Sequence, residues 1–163
     1  QRVVDDVLVG FGDEYYDVMG YVIANLNQEQ ATELNVLNFD YCAYLPGEGH
    51  VSFLLSRDDL DSKYGKIELT ALNADVNILN DQLNGKTIFT AANGSLESGK
   101  AFKILESGHY ELHTHAHLYG SLPLGAPFEI AAAALKIFGG NQQKIVCAEA
   151  TNTQRLNLYS VYK

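Results

Sequence analysis

Residues 108–140, GHYELHTHAHLYGSLPLGAPFEIAAAALKIFGG, decide how this chain folds, because they join a β-type run to a long helix through a turn rich in glycine and proline. HYELHTHA reads as a strand, and on a strand His113, His115 and His117 share one face because side chains alternate with period two. PFEIAAAALKIFGG reads as a helix, with Pro127 in a fitting first-turn position and glycines closing it. Upstream, SLESGKAFKILESG reads as a helix with Ser95 as N-cap, ending at Gly108. KTIFTAAN reads as a buried strand, and NADVNILNDQLNG as a short helix closed by Gly85. Downstream, QKIVCAEA and LNLYSVYK are strands joined through TNTQR as a hairpin. The order from residue 65 onward is β-α-β-α-β-α-β-β, which predicts the α/β class, a mixed sheet with helices packed on it. That order opens with the strand GKIELTAL, and the strand HVSFLLSR lies before it, joined to it by the polar DDLDSKYG. Further upstream, Val7 to Val9 form a short strand broken by Gly10 and Gly12, and DEYYDVMGYVIANLNQ allows one or two helical turns. Linkers, repeats and low-complexity segments are not seen.

The 163 residues are enough for one ordinary domain with a real core, and 47% hydrophobic with 19% charged residues is a globular composition. A formal charge of −9 with scattered basic residues argues against nucleic acid and against anionic membrane surfaces. No stretch reaches the ~20 apolar residues of a membrane span, and a cytoplasmic location is expected. Cys42 and Cys147 are too few for a disulfide framework and read as buried free thiols of a reducing compartment. The chain does not begin with Met, so a processed or partial form of a longer protein is expected.

Several motifs invite chemical readings. Two histidines at i and i+2 on a strand can hold zinc, and His113, His115 and His117 are the candidate ligands. The outer two Cα atoms of such a set lie about 13 Å apart, so the site would need Glu111, an Asp or another His from a different segment. No H-E-x-x-H or paired-Cys motif accompanies them. LNGKTIFTAANGSLESGK ends a strand in small residues before a helix and could hold an anion on backbone N–H groups, but it lacks the phosphate-loop spacing and reads better as a tight turn. Pro46 and its neighbouring glycines in PGEG make a turn, with Glu48 either a functional carboxylate or, more commonly, a solvated turn acid. No Ser/His/Asp triad or G-x-S-x-G elbow is present.

Taken together, these segments resemble the β-ketoacyl-acyl carrier protein synthases of the thiolase superfamily. VDDVLVGFGDE is similar to the strand after the nucleophile helix in that family. FDYCAYLPGEGHVSFLLSRDDLDSKYGKIELTAL resembles its phenylalanine-aspartate, loop, PGEG and apolar-strand sequence, leading into the C-terminal half. FTAANGSLESGKAF falls at the first histidine loop, HTHAHLYGSLPLGAPFEIAAAALKIFGG at the second, and QKIVCAEATNTQRLNLYSVYK at the closing hairpin. The resemblance spans nearly the whole chain through loose motifs that agree in order and spacing.

It implies a thiolase-like layered fold, with residues 1–64 as the end of the N-terminal half and residues 65–163 as the C-terminal half. The family's nucleophilic cysteine sits at a helix N-terminus, where the dipole lowers the thiol pKa, and neither Cys42 nor Cys147 occupies that position. The first family histidine falls at Ala92 or Asn93, and Asn93 can donate to an oxyanion but does no acid-base work. The second falls at Ser121, after Gly120, in the usual spacing. In divergent members of aryl polyene-type pathways a lysine-histidine pair precedes the glycine, which matches Ala116 and His117. Asn93 and His117 are thus the degenerate catalytic positions, and Gly120 and Ser121 the substrate-binding ones. The resemblance implies no cofactor, an acyl carrier protein or acyl thioester as ligand, and a ketosynthase-like partner chain or homodimer. The expected function is a ketosynthase-like subunit or segment of fatty-acid or polyketide biosynthesis, not catalytic alone. A small metal-binding protein or zinc hydrolase using HTHAH, and a fragment of an active synthase, are the alternatives.

Overall fold

The computed structural model describes residues 5–14, 29–30, 39, 43–44, 47–57, 62–92, 96–106, 108–120, 125–140 and 142–163. Cys42, Pro46, Asn93, Ser95 and Ser121 lie outside them, as does almost all of DEYYDVMGYVIANLNQ, the segment expected to form helical turns.

The chain is mixed α/β. A five-stranded sheet holds β5 (Lys66–Asp75), β9 (Arg155–Tyr162), β8 (Lys144–Asn152), β6 (Thr87–Thr90) and β7 (Glu111–His113) in that spatial order. β5–β9 and β9–β8 are antiparallel, whereas β8–β6 and β6–β7 are parallel, as crossover helices require. Helices α1 (Val76–Leu83) and α2 (Leu96–Glu106) contribute the core on one face, with Leu79, Leu83, Phe102 and Leu105 packed against Ile88, Val146, Leu156 and Leu158. On the other face lies α4 (Gly125–Gly139), which follows the one-turn helix α3 (Ala116–Tyr119). Its Ile130, Ala133 and Ile137 meet Phe89, Ile145, Cys147 and Val161. That helical spacing is what an amphipathic helix on a sheet needs. Each large side chain so buried contributes about 1.5–3 kcal/mol. This is the alternating order expected from residue 65, with α3 as an addition.

Local chemistry fixes the element ends. Asp75 caps α1, its carboxylate accepting from Asn77 N at 2.9 Å. The β8–β9 hairpin turns through Thr153 and Gln154, with Asn152 Oδ1 accepting from Gln154 N at 2.9 Å. β5 runs through Asn73 to Asp75, beyond the expected GKIELTAL, in two irregular steps. Asn73 takes a left-handed φ of 48° and is held there by Asn157 and Arg155.

Strands β1 (Asp6–Asp13) and β4 (Gly49–Ser56) form a separate antiparallel ribbon, whose Phe53 packs against the α4 side of the core. A two-residue parallel pair joins β2 (Glu29–Gln30) to β3 (Ala43–Tyr44). β1 does not break at Gly10 and Gly12, contrary to expectation. Both glycines lie under the His50 imidazole, and a Cβ on Gly12 would stand 2.9 Å from its Nδ1. The glycines therefore make room for a cross-strand ring rather than ending the strand. Among the described residues, no helix is long and apolar enough to cross a membrane.

Candidate functional site

Among the described residues β7 pairs with β6 alone, at the edge of the sheet, and it stops at His113. The expected strand over HYELHTHA is therefore too long, and the three histidines do not share a strand face. His113 ends β7, His115 stands at the N-cap of α3, and His117 lies on α3 itself. The reason is a carboxylate that sequence reading passed over. Glu129, on the buried stripe of α4, is fully shielded from solvent. Its Oε1 accepts from the His115 backbone N–H at 2.7 Å, from the Tyr119 hydroxyl at 2.7 Å and from the Thr114 hydroxyl at 3.4 Å. Thr114 Oγ1 in turn accepts from Ala116 N at 3.2 Å. These bonds satisfy backbone groups that a continuing edge strand would leave to water, and they start a helical turn instead.

The second oxygen of Glu129 faces the His115 imidazole, with Nδ1 and Oε2 2.8 Å apart. A carboxylate on Nδ1 fixes ring orientation and tautomer and leaves Nε2 as the open nitrogen. The His115 ring also leans on Phe89, centroids 4.7 Å apart, and keeps a side-chain exposure of 28%. His117 is exposed, its ring centroid 6.3 Å from that of His115. His113 turns toward Glu111, Nε2 to Oε1 3.0 Å, and its ring meets Phe89 at 5.7 Å. Glu111 also accepts from the Thr87 hydroxyl at 3.1 Å, and that bond, with His113 beside it, holds its carboxyl below the usual range. Phe89 thus contacts both His113 and His115. Among the described residues no group of three His, Cys, Asp or Glu side chains could hold a metal, so these residues by themselves do not supply the site of the HTHAH zinc alternative.

Burial and the nearby Glu129 push the Tyr119 hydroxyl well above its ordinary range. The same two causes raise the Cys147 thiol, which is buried on β8 beside the α4 core. A thiol so placed is unreactive.

Gly120 closes α3 at φ 82°, a conformation that favours glycine. Gly47 of the PGEG turn approaches the same point, and a Cβ there would lie 2.6 Å from Gly120 Cα. The structure therefore brings Gly120 and Gly47 together, while Pro46, Asn93 and Ser121 lie outside the described residues. The signal for Glu129 was in the sequence: one acid within an otherwise apolar helical run, spaced with Ala126, Ala133 and Ile137.

No family model and no curated protein matches the chain. Among solved structures it is similar to the ishigamide ketosynthase/chain length factor, with a TM-score of 0.69 and 12% identity over 98% of this chain and 54% of that one. The chain thus spans about half the length of that structure. The likeness shows the fold, which is thiolase-like.

Proposed function

We propose that this chain is a ketosynthase-like subunit or segment of fatty-acid or polyketide assembly that does no condensation alone. The observation that carries the reading is the likeness over nearly all of the chain to about half of a ketosynthase/chain length factor. Decarboxylative condensation needs a thiolate to carry the acyl group and further groups to stabilise the enolate and its oxyanion. Cys147 is the one free thiol among the described residues, and its burial and raised pKa suit a core residue, not an acyl carrier. On this reading residues 1–64 correspond to the end of an N-terminal half and residues 65–163 to a C-terminal half. Partner strands and helices would cover the β1–β4 ribbon, whose paired Leu8 and Leu54 are 73% and 74% exposed. The partner is a ketosynthase-like chain or a second copy, and the ligand an acyl thioester on a carrier protein. His117 and Asn93 keep the degenerate catalytic positions, with Gly120 and Ser121 near the acyl group.

The test is a condensation assay with an acyl thioester and a malonyl-loaded carrier protein. The chain alone should form no β-ketoacyl product and carry no acyl group on Cys42 or Cys147. Stoichiometric acylation of either cysteine at neutral pH would overturn the reading.

A further inference from the structure

We propose that His115, aimed by the buried Glu129, is a general-base imidazole whose open Nε2 takes the proton of a bound thiol. The geometry is that of an acid–imidazole pair built to work at one nitrogen. Nδ1 is engaged by Glu129 Oε2 at 2.8 Å, while the backbone N–H of the same residue is anchored on Oε1 at 2.7 Å. Two bonds from one carboxylate to one residue fix both the ring and the backbone that carries it. Tyr119 holds the carboxylate from a third direction, at 2.7 Å, and full burial denies Glu129 alternative partners in water. A carboxylate that only stabilised the turn would need the backbone and hydroxyl bonds and not the one to the ring. His117, the residue that the sequence resemblance favours, is on the exposed face of α3.

In the proton transfer the S–H bond breaks and sulfur keeps the electron pair. The proton joins Nε2, and the positive charge so formed on the ring lies against Glu129 Oε2, 2.8 Å from Nδ1. Ordinary thiols and imidazoles differ by only about two pK units, so the transfer between them is accessible, unlike that from an alcohol. Phe89, fully buried, packs against the ring with centroids 4.7 Å apart and helps to hold its orientation. The choice of a thiol rests on the acyl-thioester reading above; the assignment of His115 as the aimed imidazole does not. A carrier-bound thiol and a free small thiol share this chemistry.

The experiment is a long-range ¹H–¹⁵N spectrum of histidine side chains in the full chain. It is run on wild type, His115→Asn, His117→Asn and Glu129→Gln, each titrated with N-acetylcysteamine and, separately, with its S-methyl thioether. His115 is expected as the single Nδ1–H tautomer, with Nε2 shifting as it accepts the S–H hydrogen bond on adding the thiol and not on adding the thioether. His117→Asn should keep both features, and Glu129→Gln should lose the single tautomer. The backbone amide spectrum reports whether Glu129→Gln folds, and the wild-type and His117→Asn spectra decide the matter if it does not. Mixed tautomers at His115 in wild type, an equal response to thiol and thioether, or a response at His117 alone would each overturn the proposal. A thiol response in a chain with no ketosynthase-like partner leaves His115 standing and removes the ketosynthase reading. A partner with no thiol response at His115 does the reverse. A response to N-acetylcysteamine that a thiol-bearing carrier protein fails to reproduce assigns the site to free thiols.

Discussion

Replacing Glu129 with alanine tests whether one carboxylate organises the turn between β7 and α4. The substitution removes the acceptor of the His115 N–H and of the Tyr119 hydroxyl, both at 2.7 Å, and the partner of His115 Nδ1 at 2.8 Å. Tyr119 is 7% exposed, so its hydroxyl has no ready route to water, and the His115 N–H makes a part-buried bond. Each unsatisfied buried donor costs about 1–3 kcal/mol, giving about 2–6 kcal/mol for the two. The imidazole, partly exposed, turns to water and adds little. Removing a buried carboxylate also relieves its desolvation, which offsets part of the loss. The net expectation is a destabilisation of about 2–4 kcal/mol, read as a fall in the urea midpoint at unchanged slope and a Tm lower by about 4–16 °C. Glu129→Gln keeps an acceptor for the two buried donors and should lose about half as much. Tyr119→Phe combined with Glu129→Ala should cost less than the sum of the two, because they share one bond. A Glu129→Ala variant within about 0.5 kcal/mol of wild type would refute the organising role.

Other expectations follow from single sites. The folded-state pKa values of Cys147 and Tyr119 lie above their unfolded ones, so the unfolded chain ionises first and stability is lost as pH rises. Urea midpoints should begin to fall above about pH 8, by at most about 1.4 kcal/mol per pH unit for each group, and Cys147→Ala should remove the early part of that fall. Gly47→Ala places a Cβ against the Tyr119 carbonyl and Gly120 Cα, so it should destabilise by about 1–3 kcal/mol and perturb Gly120 in amide spectra. Gly12→Ala should displace the His50 ring and break its 2.8 Å contact with Ser52 Oγ, at a cost under about 1 kcal/mol because the pair is exposed. Leu54→Ser should leave folding within about 0.5 kcal/mol and weaken association with the partner, measured by sedimentation.

The layout of the sheet could be read from the sequence because periodicity and turn chemistry agree there. NADVNILNDQLNG, TNTQR and PFEIAAAALKIFGG each carry a cap, turn or first-turn residue beside the right apolar spacing. HTHAH misled because alternation signals a strand only while a ladder holds it. Among the described residues β7 has a neighbour on one side alone, and Glu129 offers the His115 backbone N–H a better partner. That partner lies 14 residues downstream, beyond what local pattern reveals. Gly10 and Gly12 misled for a related reason, since glycine in a strand marks either an end or a close approach. Here the approaching group is the His50 ring, from a strand about forty residues away in the chain. The site's glycines were legible as turn residues, but their contact across Gly47 and Gly120 was not.

The central claim, that this is a ketosynthase-like chain working only with a partner, is tested most directly by a native mass spectrum of the protein purified from its own source. The account expects a stoichiometric complex with a larger, cysteine-bearing ketosynthase-like chain, or a homodimer, with no acyl group on Cys42 or Cys147. A monomer or homo-oligomer carrying about one zinc per chain would contradict it, and His113, His115 and His117 would then be the residues to mutate.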